Sequence, residues 1–286
     1  MSQSAPISLA AAMALPPRAA MQRVKGEAFV ALAAHRGRTV LMNLRQIGNA
    51  KAILPHAGAL PEVVFLNTSG GLTGGDRLSY RLDLGENCRA VAMTQTAERA
   101  YRASEGHAEV SVDLKLGAGA WLDWLPQETI LFDQSALQRK TRIELGPRAG
   151  CLALESVVLG RHAMGETVQS LDFKDHRAIY REGKPLSLEP LALNAASLGS
   201  PVTLGEARAF ASIIMAGEGV ADALGPLRAV LTEEGVRAAA SAFDGKLACR
   251  LMARDGLPLR RQIIRALAVL RRAPAPRVWQ TMERSI

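Results

Sequence analysis

The chain is expected to be mainly β in an α+β arrangement: a two-faced or coiled β-stack resembling a β-helix, with a helical C-terminal part. Three observations predict this. Residues 109–116 alternate Val110, Val112, Leu114 and Leu116 with Glu109, Ser111, Asp113 and Lys115, the period of a half-buried strand. Segments 121–125 and 130–132 are apolar on both faces, as strands covered from two sides are. After Pro201 the spacing of apolar residues changes to that of amphipathic helices.

Taken in order, residues 1–22 read as a flexible, uncleaved tail. The short apolar run 9–15 has no basic residue before it and is followed by Pro16-Pro17-Arg18, unlike a secretory signal. A β domain is expected over 23–204, with strands at 39–44, 63–66, 80–84, 89–93, 109–116, 120–125, 129–132, 151–159 and 168–180. Segments 127–132 and 154–159 resemble one another, and Glu128 and Glu155 are separated by about one rung of a parallel β-coil. The remainder, 205–286, is expected to be helical and packed on the β domain. Helices are read at 206–216 and 221–231, with the pattern resuming through 246–252. A longer one spans 257–272, with Pro258 in its first turn, before Ala273-Pro274-Ala275-Pro276 ends it.

Composition narrows the function. The 286 residues suffice for one large domain or two small ones, and 48% hydrophobic against 22% charged residues is a globular balance, not a disordered one. No apolar run reaches 18 residues, so no membrane span or membrane partner is expected. With only three Trp, three Tyr and six Phe, a groove of rings for stacking sugars or bases is disfavoured. The three cysteines, Cys88, Cys151 and Cys249, lie far apart, a usage that fits a reducing, cytoplasmic setting.

The net charge of +8 is segregated. Residues 1–60 hold seven basic residues against one acidic, and 246–286 hold ten against two, so the body between them is net acidic. No nucleic-acid motif accompanies the basic ends, so nucleic acid is not expected as a partner. The arginines at 260, 261, 265, 271 and 272 read instead as a solvated or partner-facing helix side. The acidic body favours approach of a cation.

The most informative stretch is Asn67-Thr68-Ser69-Gly70-Gly71-Leu72-Thr73-Gly74-Gly75-Asp76. Its glycines have the separation of a phosphate-binding loop, but Asp76-Arg77 stands where Lys-Ser/Thr is required, and a strand follows where a helix is needed. A tight turn between strands accounts for the glycines. Asp76, Glu128, Asp133, Glu155 and Glu166 are acids placed in glycine turns or beside apolar strands. There a carboxylate must find a partner, protonate, or line a wet cavity open to a cation. The five histidines show no metal-ligand spacing and no nucleophile elbow is present, so no catalytic machinery is read and the chain is not expected to be an enzyme.

At these residues the sequence resembles the urease accessory protein D family (UreD, called UreH in some systems). The matching blocks are 66–76, the polar run 94–102, Trp124-Leu125-Pro126-Gln127-Glu128-Thr129-Ile130, 160–166, 179–186 and Arg277-Val278-Trp279, in the family's order. The resemblance implies a non-enzymatic urease maturation factor, or chaperone. Its implied partners are the urease apoprotein, an F-type accessory protein bound directly, and a G-type GTPase recruited through F. It implies no permanent cofactor: nickel in transit to the urease active site, and GTP only through the G-type partner. It also implies an internal nickel channel lined by acids, which places Asp76, Glu128 and Glu166 on that path; Asp133 and Glu155 are added from their local pattern. Scattered carboxylates suit a passage better than imidazole and thiolate, which hold first-row metals firmly. Two other readings stand beside this one: a purely structural urease chaperone, and a β-coil carbohydrate-active enzyme using Glu128 and Glu155 as acid and base.

Overall fold

A computed structural model describes residues 23–55, 60–161 and 164–280; the expected tail over 1–22 lies outside them. The chain winds as a coil that gives one strand to each of two stacked sheets at every turn. The first sheet has the order β14 (Lys184–Asn194), β13 (Leu171–Arg181), β11 (Ser135–Leu145), β8 (Ala108–Leu116), β5 (Arg77–Leu84), β1 (Lys25–His35), β2 (Arg38–Ile47). Its five inner strands are parallel, and an antiparallel strand closes each edge. The second sheet runs β16 (Val236–Phe243), β17 (Lys246–Ala253), β15 (Ala209–Ala216), β12 (Gly150–Leu159), β9 (Trp121–Trp124), β6 (Arg89–Thr94), β4 (Glu62–Asn67), β3 (Ala50–Ile53). The short strands β7 (Glu98–Ala100) and β10 (Thr129–Leu131) pair in parallel and extend the coil beside β12.

What fixes the coil is a column of stacked turns. Leu84-Gly85, Leu116-Gly117 and Leu145-Gly146 each end a strand of the first sheet, and each is followed, two residues on, by a left-handed residue: Asn87, Gly119 or Arg148. The Gly85 N–H donates to Leu32 O (2.8 Å), Gly117 N–H to Leu84 O (2.7 Å) and Gly146 N–H to Leu116 O (2.8 Å), so each turn sits on the one before. A Cβ at Gly117 would lie 2.8 Å from the Glu86 backbone nitrogen, and one at Gly146 would lie 3.0 Å from that of Ala118. Only glycine permits this backbone-on-backbone approach. The repeated Leu-Gly turn, followed by a small buried residue (Cys88, Ala120 or Ala149), is the clearest internal repeat in the sequence. It was not among the sequence-based expectations.

The space between the sheets is filled by Leu and Val from alternate strand positions, with Phe65, Tyr80 and Trp124 in ring contact at its centre (centroids 4.8 and 6.2 Å apart). The far face of the second sheet is covered by α1 (Leu224–Ala229), α2 (Gly256–Arg271) and Trp279 of α3 (Arg277–Gln280). That sheet is therefore buried on both sides, which accounts for the doubly apolar segments around 121–125 and 130–132. The mainly β, coiled architecture agrees with expectation.

The C-terminal part differs from the helical reading in three places. Residues 209–216 and 246–253 are strands β15 and β17, not helices, and 236–243 is a further strand, β16. The physical reason is tertiary: β15 is hydrogen-bonded between β12 and β17 and buried on both faces, and a fully buried strand shows no period to distinguish it from a helix. The helix at 257–272 is present almost to the residue. Asp255 caps it, accepting from the Leu257 N–H (2.9 Å), and Arg272 ends it at φ 51°.

Replacement of Gly117 by Ala should force the two stacked turns apart and destabilise the fold by about 1–3 kcal/mol, as overpacking does. The check is urea unfolding, with a lowered midpoint and an unchanged slope.

Candidate functional site

Period-2 alternation along β11 turns Ser135, Leu137, Arg139, Thr141, Ile143 and Leu145 inward. Arg139 therefore enters the hydrophobic interior, where an unpaired charge is prohibitively costly. Two carboxylates meet it. Asp175 of β13 accepts a fork from Nε (3.0 Å) and Nη2 (2.7 Å), while Glu155 of β12 takes Nη1 at 2.8 Å. Nη1 also donates to the Thr129 hydroxyl (2.9 Å). Glu155 Oε1 further accepts from Trp124 Nε1 (3.1 Å) and Thr141 Oγ1 (3.3 Å). Burial disfavours the Arg139 charge, but Asp175 and Glu155 outweigh it and hold the guanidinium above its ordinary value. Burial raises the Glu155 carboxyl, with Arg139 opposing. Beyond Asp175 the network continues through Arg177 Nε (3.2 Å) to Glu189 of β14 (Arg177 Nη1 to Oε2, 3.3 Å). Glu189 accepts from Ser212 Oγ of β15 (2.9 Å) and pairs with Arg250 of β17. Three guanidiniums thus alternate with three carboxylates from the interior to the surface.

Small cavities accompany these groups. One of about 40 Å³ is lined by Thr94, Glu98, Gln127, Thr129, Arg139 and Glu155. It shares Trp124 and Glu155 with a second cavity of about 30 Å³ that reaches Arg177, Glu189 and Ser212. On its other side it shares Tyr80, Thr94 and Glu98 with a third, also about 30 Å³, that reaches Asn67 and Gly70 of the glycine turn. Gln127 is among the residues lining the middle cavity, and its buried Nε2 finds no acceptor among the described residues. Each cavity has room for one or two waters; the third has mainly polar walls, while the other two are mainly apolar with a few polar side chains.

Glu98 stands where two of these cavities meet. Its oxygens accept from Asn67 Nδ2 (3.1 and 3.3 Å) and from the Arg99 N–H (3.2 Å), and no Lys or Arg among the described residues pairs with it. Burial pushes its carboxyl up to about 7 from an ordinary 4.5, with the Asn67 and Arg99 hydrogen bonds and the Arg99 charge opposing. Asn67 is itself held by Asn49 Nδ2 (2.6 Å) and Ser69 Oγ (2.6 Å), so the polar half of the glycine stretch positions this amide. The glycines serve packing: a Cβ at Gly71 would lie 2.3 Å from the Tyr101 ring, and one at Gly74 would lie 2.0 Å from Glu105 O.

The five acids singled out from the sequence do not form one series. Glu155 lies between the sheets, in the network above. Asp76 is buried in the glycine turn, its oxygens accepting from the backbone N–H groups of Val24 (2.9 Å) and Thr73 (2.8 Å). Glu128 faces α2 and pairs with Arg260 (3.2 Å), which also donates to Gln127 Oε1 (2.8 Å) and lies over the Trp279 ring. Asp133 accepts from the Gln169 and Ser170 N–H groups (2.8 and 2.9 Å), Ser170 first among the bonds that hold its carboxyl low. Glu166 accepts from the Asp133 N–H (3.2 Å) and from Arg161 Nε (2.9 Å), so these two acids pin one loop together. Thr129 pairs with Val157, which sets the rung one residue longer than the Glu128–Glu155 spacing. A one-residue offset turns side chains to opposite faces, so Glu128 and Glu155 point away from each other and cannot act as a paired acid and base.

The helix arginines also differ from expectation. Arg260 and Arg271 turn inward, Arg271 pairing with Asp123 at 2.8 Å, while Arg261 and Arg265 pair with Glu233. Among the described residues, no group of three or more His, Cys, Asp or Glu side chains could hold a metal ion, and no helix is long and apolar enough to cross a membrane.

Sequence reasoning missed Glu98, Arg139, Asp175 and Glu189. The signal for Arg139 was legible as the one charge in the inward set of an alternating strand. Glu98 lay inside the polar run 94–102, quoted for its place among the matching blocks and not for its acid.

The profile of the UreD urease accessory protein family matches residues 24–280, nearly the whole of the described chain. The chain belongs to the UreD family. A Cereibacter sphaeroides protein named urease accessory protein UreD is 62% identical over 270 residues, covering 93% of this chain and 98% of its own length. A Paracoccus denitrificans relative of the same name is 52% identical, covering 91% and 93%. One from a Jannaschia species is 44% identical, covering 91% and 96%. The resemblance drawn from the glycine turn and the ordered blocks is therefore borne out, and the role of urease accessory protein comes with it.

Two outcomes are expected at the interior network. Arg139→Met should strand Glu155 and Asp175 in the core and cost about 3–5 kcal/mol, measured by chemical denaturation. Glu98→Gln acts through pH. A carboxyl raised in the folded state binds more protons there than unfolded, so its contribution falls as pH rises from about 4.5 to about 7. Melting curves should show the variant gaining stability on the native chain between pH 5 and 8; parallel pH profiles would refute the assignment.

Proposed function

We propose that this UreD-family protein is a non-enzymatic scaffold that binds the urease apoprotein and an F-type accessory protein, meets a G-type GTPase through F, and passes nickel toward the urease active site between its two sheets. The observation that carries this reading is the run of three wall-sharing cavities from Asn67 and Glu98, past Thr129 and Glu155, to Glu189 and Ser212. Cavities of this size hold too little water for a fully hydrated ion, so an ion in transit must exchange water for protein oxygens. Glu98, the carboxylate at the junction that no guanidinium pairs with directly among the described residues, is where the cation gains most, displacing a proton near neutral pH. Further in, Arg139 and Arg177 balance the acids and keep any one position from gripping a divalent ion firmly, as conduction requires. Asp76, Glu128, Asp133 and Glu166 then act as braces of turns and helix, with Glu155 in the wall of the path. The setting proposed is the cytoplasm.

The test is urease activation at limiting nickel with purified apoprotein, F- and G-type partners. Glu98→Gln with Glu189→Gln should leave the complex intact on gel filtration and slow activation at least tenfold, with recovery at high nickel. Full activation by this variant would leave a purely structural chaperone. Failure of the native chain to bind or activate urease would remove both readings.

A further inference from the structure

A far larger concavity lies elsewhere, on the outer face of the first sheet. It measures about 990 Å³ and crosses all seven strands, from Ile47 on β2 to Pro190 and Ala192 on β14. In-register pairing lines it with two rows of outward side chains. One row is Lys25, Arg77, Glu109, Gln138 and Lys174; the other is Glu27, Ser79, Ser111, Lys140 and His176. Arg77 and Glu109 pair with each other (3.2 Å), and Glu27 is loosely paired with Arg45 (3.9 Å). Lys174 reaches only the exposed Asp172, at 3.9 Å, and Lys25 and Lys140 pair with no acid among the described residues. The trough thus presents three cations that the fold does not use, on a floor of serine hydroxyls.

We infer that this trough is a docking site for an extended acidic segment of a partner protein, lying across the strands. Neighbouring strands are about 4.8 Å apart, so Lys25 and Lys174 stand about 19 Å from one another. That is the reach of about six extended residues, and the whole trough takes about nine. The interspersed Glu27 and Glu109 disfavour a uniform polyanion, and no Phe, Tyr or Trp lines the trough to stack a base, which argues against nucleic acid. The chain's own residues 1–22 contain no acid and do not complement it. The inference is independent of nickel transit.

The probe is a fluorescein-labelled nine-residue peptide of alternating Glu and Val, followed by anisotropy with the full chain at low and moderate salt. Saturable binding is expected, weakened at least tenfold by Lys25→Glu, Lys140→Glu and Lys174→Glu together. Arg237→Glu on β16 should leave it unchanged, as should substitution of Lys for Glu in the probe abolish it. Unchanged melting temperatures keep the comparison valid; if the triple variant unfolds, the single Lys140→Glu is read instead, with a threefold loss expected. No binding, or equal loss in Arg237→Glu, overturns the inference. Equal competition by an oligonucleotide of matched charge reassigns the trough to nucleic acid. Self-association lost on charge reversal, seen by sedimentation, reassigns it to a second copy; either result also overturns it.

Discussion

The structure depends on one contact, the stacking of turn upon turn at Gly85, Gly117 and Gly146. Because each glycine N–H donates to a strand carbonyl of the preceding coil (Leu32, Leu84 or Leu116), every coil begins its next strand at a fixed height. Register in both sheets follows, and with it the direction in which every side chain points. The inner strands of the first sheet then carry their odd and even positions in rows, one into the core and one outward. The interior ion network and the outer trough are two consequences of that registration.

The interior is unusual in what it tolerates. Burying Arg139 among Leu, Phe173 and Trp124 is acceptable because Asp175 reaches it from the paired strand β13 and Glu155 from β12 of the facing sheet. A well-packed apolar core would serve stability as well or better. The fold instead retains alternating charges and small cavities that share walls, in a place where a β-stack is ordinarily filled. Glu98 is the exception within the pattern, a half-buried carboxylate held only by amides, and its raised protonation equilibrium is the direct result.

Much was legible in advance. The alternation at 109–116, the doubly apolar segment at 121–125 and the capped helix near 257 gave the architecture its outline, and the ordered blocks around the glycine turn gave the family. What could not be read was the partner of each charge. Asp76 looks like a free acid in a flexible turn, but its oxygens are taken by Val24 and Thr73. Arg260 and Arg271 look like a solvated helix face, but they are drawn inward by Glu128 and Asp123. Residues 209–216 look helical because a strand buried on both faces has no polar side to mark its period.

By itself the amino-acid sequence determined the kind of element over most of the β body and the family. Those depend on local periodicity and on short, ordered motifs. The tertiary structure decided which carboxylates are braces and which line the interior, because that turns on a register of one residue between strands distant in the chain. It also decided that Lys25, Lys140 and Lys174 gather on one sheet face while Arg260 and Arg271 of the C-terminal helix are drawn into pairs, since only folding reveals which charges meet a partner.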